Sequence, residues 1–160
     1  MTISVGDKMP DVTLHTMTDS GPQGVTTSDL FNGKKVALFG LPGAFTPTCS
    51  AKHVPGFVEN SGSLAAKGID SIICVSVNDA FVMGAWGDNQ NVGDKVMMVS
   101  DGDADLAKAT GLELDLHGNG FGLRCQRFSM VVNDGTVESI NLETDGGYEV
   151  TSAEHMLANL

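Results

Sequence analysis

Positively charged side chains are scarce in this chain. Its 160 residues include nine lysines and arginines against twenty aspartates and glutamates, which gives a formal net charge of −11. Such a surface repels phosphate groups, so neither nucleic acid nor an anionic membrane is expected as a partner. The two arginines, Arg124 and Arg127, lie close together in the sequence. A guanidinium suits a thiolate or a developing oxyanion, but the residues alone leave open whether either arginine serves a site or is a solvated surface charge.

Cysteine is also rare, and its spacing excludes several classes of protein. The three cysteines are Cys49, Cys74 and Cys125, and no Cys-x-x-Cys pair is present. An odd number of widely spaced thiols does not predict a secreted disulfide framework. No segment approaches the length of a transmembrane helix, and the N-terminus lacks the blocks of a signal peptide. We expect a soluble, cytoplasmic protein with one domain over residues 1–160.

Metal and cofactor signals are weak. Cys49 and His53 are four residues apart, a spacing that suits a metal-ligand pair or a nucleophile and its base. No second ligand pair follows, so no metal is expected, and His53 is interpreted as a partly exposed helix residue or a contact near a pocket. The segment 118–122 is rich in glycine but does not open a helix after a strand. It is interpreted as a flexible loop that delivers Arg124, and no bound cofactor is expected.

The most informative segment places a cysteine at the start of a predicted helix, directly after an apolar strand. Thr46 is a typical N-cap residue, and Pro47 suits the first helical position because its missing N–H would be unpaired there. Cys49 then falls in the first turn. Free N–H groups and the positive end of the helix dipole stabilise an anion at that position. The pattern predicts a thiolate nucleophile at Cys49.

The remaining pattern predicts a mixed α/β fold. Apolar runs predict strands, and capping signals predict helices between them. Asn133-Asp134-Gly135 is a turn signal that predicts an antiparallel hairpin. Parallel strands, a hairpin and a closing helix give an α/β, thioredoxin-like order with helices on both faces of the sheet. The predicted strands are 36–40, 69–77, 96–99, 128–132 and 136–142, and the predicted helices are 49–66, 79–86 capped by Asn78, 103–110, and one from the Thr151-Ser152-Ala153-Glu154 capping box to about Leu160.

These residues resemble a known family. The spacing Pro42-x-x-x-Thr46-x-x-Cys49 resembles the active-site signature of the peroxiredoxins, thiol peroxidases on a thioredoxin-like fold. The runs 42–50 and 53–57 are similar to the type II, or atypical two-cysteine, subgroup. Further similar segments are 75–82, 85–87 and 127–132, so the resemblance extends from about Val5 to Leu142.

The resemblance implies roles for individual residues. Cys49 would be the peroxidatic cysteine, Thr46 its hydroxyl partner, Pro42 the proline that shields it and Arg124 the guanidinium. The expected activity is the reduction of hydrogen peroxide and small organic hydroperoxides through a sulfenic acid on Cys49. A peroxide sensor or chaperone-like redox protein with little turnover is the alternative.

The means of reducing the sulfenic acid are left open. Cys74 matches a position with a resolving role in some members of the subgroup, although a cysteine in an apolar strand is also commonly inert. Cys125 lies outside the family pattern. We expect an external thiol, glutathione with or without glutaredoxin, in preference to thioredoxin. The resemblance also implies a homodimer, whereas from the sequence itself Phe45, Phe81 and Trp86 are interpreted as aromatic side chains that need burial.

Overall fold

Nine strands and six α-helices, with one π-helical turn, make up the computed structural model, which describes residues 1–160. In chain order the strands are β1 Thr13–Thr18, β2 Gly21–Thr26, β3 Lys35–Gly40, β4 Ser71–Ser76, β5 Met97–Ser100, β6 Glu113–Leu116, β7 Gly122–Cys125, β8 Phe128–Asn133 and β9 Thr136–Leu142. The helices are α1 Thr27–Phe31, α2 Val54–Glu59, α3 Ser61–Ala66, α4 Ala80–Asn89, α5 Asp105–Thr110 and α6 Ala153–Ala158, and the π-helical turn is Cys49–His53.

Seven of the strands form one mixed sheet in the order β2-β1-β5-β4-β3-β8-β9. Strands β3, β4 and β5 are parallel, and β8 runs antiparallel to β3. The apolar strands β3 and β4 are buried because helices cover both of their faces. The thioredoxin-like α/β fold predicted from the sequence is therefore confirmed.

Two hydrophobic clusters lie on opposite faces of this sheet. On one face α1 and α5 pack through residues such as Phe31 and Leu106. On the other face, Cys49, Phe57 and Trp86 are among the residues that bring the π-helical turn and helices α2, α3, α4 and α6 against the strands. Both clusters contain eighteen buried residues, so the sheet is covered to a similar extent on its two sides.

The predicted hairpin is present between β8 and β9. Asp134 and Gly135 both have positive φ, at 49° and 82°, which is the conformation that a tight hairpin turn requires. The register pairs Gly40 of β3 with Phe128 of β8. Arg127, directly before β8, is thereby placed beside the carboxyl end of β3.

The helix predicted over 49–66 is divided into three segments. Helical structure begins at Pro47, widens into the π-helical turn Cys49–His53 and continues as α2. Pro55 has no N–H to donate four residues back, which favours irregular backbone just before it. A break at Asn60 separates α2 from α3.

Several other boundaries differ from the sequence prediction. Helix α4 is capped by the side chain of Asp79, which accepts from the Val82 N–H, and not by Asn78. Ser152 caps α6 alone, without the predicted capping box. In the segment predicted as a flexible loop, residues 118–121 form the turn of the β6–β7 hairpin and Gly122 is the first residue of β7. Strands β1, β2, β6 and β7 and helix α1 are absent from the prediction. No helix combines the length and apolar character needed to cross a membrane.

Candidate active site

The loop that follows β3 is fixed by the neighbouring strand. The carbonyl of Leu41 accepts hydrogen bonds from the Ser76 hydroxyl and the Cys125 thiol, each at 3.1 Å. The N–H of Ala44 donates to Oδ1 of Asn78 at 2.9 Å, and the Ser76 hydroxyl, whose one proton is shared with the Leu41 carbonyl, lies 2.9 Å from the same oxygen. The loop therefore enters the site at a position set by the end of β4.

Cys49 lies at the start of the π-helical turn and is only 1% exposed. The N–H of Val54 donates to the Cys49 carbonyl, which is the five-residue spacing of a π-helix. Helical structure starts at Pro47, directly after Thr46, as predicted, but the Thr46 hydroxyl donates to the Gly43 carbonyl and does not cap the helix. A nearly buried sulfur at the beginning of a helix is the arrangement that the sequence pattern predicts.

The guanidinium that contacts this sulfur belongs to Arg127. Its Nη2 donates to Cys49 Sγ at 3.1 Å. The resemblance assigns this position to Arg124, but the structure places Arg124 elsewhere: its Nε donates to the Phe121 carbonyl at 2.9 Å and its Nη1 to the Pro42 carbonyl at 3.2 Å. Arg124 thus holds the β6–β7 hairpin against the loop and does not touch the thiol.

His53 is fully buried, so the structure excludes the partly exposed residue and agrees with the other interpretation, a contact near the pocket. Its Nδ1 is 2.8 Å from Nη1 of Arg127, and its Nε2 is 3.0 Å from the Thr151 carbonyl. Arginine can only donate, so Nδ1 accepts and the ring proton lies on Nε2. Burial, followed by the charge of Arg127, lowers the pKa of His53 to about 3. The imidazole is therefore neutral at physiological pH.

Aromatic rings surround the imidazole. The ring of Phe39 lies 4.8 Å from it, that of Phe57 5.8 Å and that of Tyr148 5.3 Å, between centroids. Tyr148 also lies 6.0 Å from the Arg127 guanidinium, and its hydroxyl donates to the Lys52 carbonyl. These rings help to shield the imidazole from water.

Thr46 and Pro42 lie in the loop between β3 and Cys49. The Thr46 hydroxyl donates to the Gly43 carbonyl at 2.7 Å, which leaves its oxygen lone pairs available to accept a hydrogen bond. A Cβ at Gly43 would lie 2.8 Å from Nη1 of Arg124 and 3.2 Å from the Thr46 methyl group. The absence of a side chain at Gly43 allows Thr46 and Arg124 to approach each other.

The other two thiols are deeply buried. Cys74 is fully buried in β4, and burial raises its pKa well above the ordinary value. Cys125 is 3% exposed, and burial raises its pKa to about 12 despite its hydrogen bond to Leu41. All three cysteines are free. Cys49 and Cys74 belong to the same hydrophobic cluster, whereas Cys125 lies in the other one.

The structure brings together only some of the residues that the sequence predicts for the site. Cys49, Thr46 and Pro42 share one loop and turn, Cys74 lies behind it in the sheet, and Arg124 lies at its edge. The sequence interpretation missed the contacts of Arg127 and His53. The register of β8 on β3 was the available signal, because a residue just before Phe128 must lie next to Gly40. Groups of three or more histidine, cysteine, aspartate or glutamate side chains that could hold a metal are absent from the structure.

A cysteine at a helix start, contacted by a guanidinium and placed after the carboxyl end of a central parallel strand, is the arrangement of a thiol-active protein of the thioredoxin-like class. The Redoxin family model matches residues 4–157. The chain is 51% identical to Peroxiredoxin-2E, chloroplastic, of Arabidopsis thaliana, over 99% of this chain and 69% of that protein. It is 46% identical to Peroxiredoxin-2B of the same plant, over 99% of this chain and 98% of the relative.

Solved structures agree with these relatives. Reduced Prx3 from Vibrio vulnificus in complex with hydrogen peroxide superimposes with a TM-score of 0.95 at 47% identity, over 99% of both chains. The chain belongs to the peroxiredoxin family, and it is a thiol-dependent peroxidase.

Proposed function

We propose that Cys49 is the peroxidatic cysteine and that Arg127, Thr46 and Pro42 form the site around it. The observation that carries this assignment is the 3.1 Å contact between Arg127 Nη2 and Cys49 Sγ. A guanidinium at this distance stabilises negative charge on sulfur and on an oxygen that approaches it. Arg127 takes the place that the resemblance gives to Arg124.

The proposed reaction is an in-line displacement at the O–O bond. The Cys49 thiolate attacks the nearer oxygen of the hydroperoxide, an S–O bond forms and the O–O bond breaks. The electron pair of that bond leaves with the distal oxygen, which takes up a proton to give water or an alcohol. Cys49 becomes a sulfenic acid, so sulfur is oxidised by two electrons and the peroxide is reduced.

The surrounding groups fit this displacement. Arg127 can donate to the oxygens, while the Thr46 hydroxyl can accept from the peroxide proton with its free lone pairs. Pro42 lies half-buried at the start of the loop and restricts water near the sulfur. Hydrogen peroxide and small organic hydroperoxides are the proposed substrates, and the structure of the Vibrio vulnificus relative in complex with hydrogen peroxide supports the first of these.

The proposed reductant is an external thiol, with glutathione and glutaredoxin favoured over thioredoxin. Cys74 and Cys125 are both buried with raised pKa values, so neither presents a thiolate to the Cys49 sulfenic acid in this conformation. A resolving role for Cys74 would require the π-helical turn to move from its position. A small thiol needs access only to Cys49 itself.

We also propose a homodimer that uses Phe45 and Phe81. Trp86 is fully buried as predicted, but Phe45 is 53% exposed and Phe81 61% exposed. Phe45 lies 6.3 Å from Trp86, between ring centroids. Exposed aromatic residues beside an active-site loop are typical of contact surfaces.

The assignment of Cys49 is tested by rapid mixing of reduced protein with hydrogen peroxide, with the fluorescence of the single tryptophan, Trp86, as reporter. Its indole Nε1 donates to Ser50 Oγ at 3.0 Å, so the signal responds to changes next to Cys49. Cys49→Ser should abolish the fast phase, while Cys74→Ser and Cys125→Ser should retain it. A fast phase that persists in Cys49→Ser would refute the assignment.

A further inference from the structure

The segment after β9 is held by a single carboxylate oxygen. Oε2 of Glu143 accepts hydrogen bonds from the backbone N–H groups of Glu149, Val150 and Thr151, at 2.9, 3.0 and 2.9 Å. The Thr151 hydroxyl donates to the same oxygen at 2.6 Å. Three successive amides directed at one anion form a nest, which fixes the backbone of that segment. We call residues 143–151 the strap.

The strap is directed at the peroxidatic site. The carbonyl of Thr151 accepts the Nε2 proton of His53, and the hydroxyl of Tyr148 donates to the Lys52 carbonyl in the π-helical turn. Thr151 is fully buried, so its carbonyl has no water to replace His53 as a partner. The strap therefore contacts the turn that carries Cys49 at two points.

Hydrogen bonds connect the strap back to Arg127 and close a ring. The backbone N–H of Glu143 donates to the Arg127 carbonyl at 3.1 Å. Arg127 Nη1 donates to His53 Nδ1, His53 donates to the Thr151 carbonyl, and Thr151 donates to the Glu143 carboxylate. Nη2 of the same guanidinium is the nitrogen that contacts Cys49 Sγ.

This ring determines which way the guanidinium points. A carbonyl opposite Nε2 requires the ring proton of His53 on that nitrogen, which leaves Nδ1 free to accept from Arg127. If the Thr151 carbonyl turned away, Nε2–H would lose its acceptor and the opposite tautomer would place a proton against Arg127. The two donors would then repel each other, and Nη2 would move from the sulfur.

We propose that Glu143 is a positioning residue of the peroxidase site, which acts through the strap and His53 to aim Arg127 at Cys49. The proposal rests on the proposed function of Cys49 and Arg127. Glu143 does not touch the sulfur, and it acts only through residues that do.

The state of the carboxyl group supports this role. Partial burial tends to raise the pKa of Glu143, but hydrogen bonds from the Thr151 hydroxyl and three backbone amides outweigh it and hold the pKa below the ordinary value. Glu143 is therefore anionic at neutral pH. At neutral pH the three backbone amides of the strap therefore donate to a charged carboxylate oxygen.

The test compares Glu143→Gln with Glu149→Gln. Both variants remove one negative charge from the strap, but the exposed Glu149 side chain is outside the ring. We expect the second-order rate constant with hydrogen peroxide to fall about 10- to 100-fold in Glu143→Gln, the range typical when a supporting contact of a site is removed. Glu149→Gln should retain the rate of the unmodified protein.

A spectroscopic measurement separates positioning from general damage. Nitrogen-15 NMR of the histidine side chains should show His53 as the Nε2–H tautomer in the unmodified protein and in Glu149→Gln. In Glu143→Gln that tautomer should be partly lost, while the melting temperature confirms a folded protein. Thr151→Val removes the hydroxyl bond and keeps the carbonyl, so it should show a smaller loss of rate.

The outcomes are distinguishable. Folded Glu143→Gln with an unchanged rate or an unchanged His53 signal would overturn the proposal, and so would an equal loss of rate in Glu149→Gln. If Glu143→Gln fails to fold, Thr151→Val takes its place. An unchanged rate or an unchanged His53 signal in folded Thr151→Val would then overturn the proposal. Fast oxidation in Cys49→Ser would instead refute the proposed function.

Discussion

A neutral imidazole and a guanidinium share one wall of the active site: Nδ1 of His53 accepts a hydrogen bond from Nη1 of Arg127 at 2.8 Å. The burial that keeps His53 uncharged also prevents it from acting as a proton acceptor for Cys49 near neutral pH. Its place in the site is that of an acceptor that orients Arg127.

The low pKa of His53 predicts a pH-dependent stability. The folded pKa is about 3, below the ordinary value of 6.5, so the unfolded chain binds a proton first as the pH falls. The stability that the protein gains by burying neutral His53 is fully present above pH 6.5, and it is lost as the pH falls toward 3. Between pH 7 and pH 5 the free energy of unfolding should fall by about 2 kcal/mol through this residue.

Urea unfolding at the two pH values measures this effect. Between pH 7 and pH 5, the free energy of unfolding of His53→Gln should fall by about 2 kcal/mol less than that of the unmodified protein. His15→Gln removes an exposed histidine and serves as the matched control. An identical pH dependence in the unmodified protein and His53→Gln would show that His53 gains a proton while folded.

The two arginines should respond differently to the same substitution. In Arg127→Lys a single ammonium group replaces the fork that reaches both Cys49 Sγ and His53 Nδ1. The rate constant with hydrogen peroxide should fall about 100- to 1,000-fold, as for the loss of a charge-stabilising donor. Arg124→Lys should have a much smaller effect, because the hydrogen bonds of Arg124 go to carbonyl groups and none goes to Cys49. Stopped-flow fluorescence checks both, and a larger loss in Arg124→Lys would favour the original assignment.

Oxidation should consume one thiol per chain. After one equivalent of hydrogen peroxide, we expect one fewer titratable thiol and a mass gain of about 16 Da, the mass of the oxygen in a sulfenic acid. Glutathione should convert this species to a mixed disulfide at Cys49. Loss of two thiols within a single chain would instead indicate a Cys49–Cys74 disulfide and a resolving role for Cys74.

The rate of sustained peroxide consumption should depend on which thiol reductant is supplied. Peroxide consumption should continue for many cycles with glutathione and glutaredoxin and be slower with thioredoxin, because no internal thiol is exposed to form the disulfide that thioredoxin reduces. Cys74→Ser should leave the glutathione-dependent rate unchanged. A single round of oxidation with either reductant would support the alternative of a peroxide sensor.

The exposed aromatic residues allow a test of the homodimer. Phe81→Glu should shift the protein toward monomers in sedimentation velocity experiments, since it places a charge in the proposed contact. Phe121→Glu is a matched control, because Phe121 is 50% exposed in the β6–β7 region. Equal behaviour of the two variants would place the contact elsewhere on the surface.

Much of the fold could be predicted because its central strands carry a strong local signal. The apolar runs of β3 and β4 and the Asn133-Asp134-Gly135 turn each determine their structure within a few residues. Strand β2 has the sequence Gly-Pro-Gln-Gly-Val-Thr and is mostly exposed, so neither composition nor alternation indicates a strand. Its pairing with β1 depends on tertiary contacts that are not visible in a short window of sequence.

The sequence could indicate only those residues of the candidate site that lie in one continuous segment of the chain. Cys49, Thr46 and Pro42 lie in a single loop. The capping pattern indicates Thr46 and Cys49, and the resemblance adds Pro42. The choice between Arg124 and Arg127 depends on the register of β8 against β3, and the burial of His53 depends on a strap about ninety residues further along the chain. The cytoplasmic location and the homodimer remain predictions.

The attachment of the active-site loop to Asn78 has a consequence for protein engineering. Ala44 is bound through its N–H to a side chain that follows β4, outside the loop itself. Transplanting residues 41–49 into another scaffold of the same architecture would leave that amide without its anchor. A functional graft would therefore have to include the end of β4 together with Asn78.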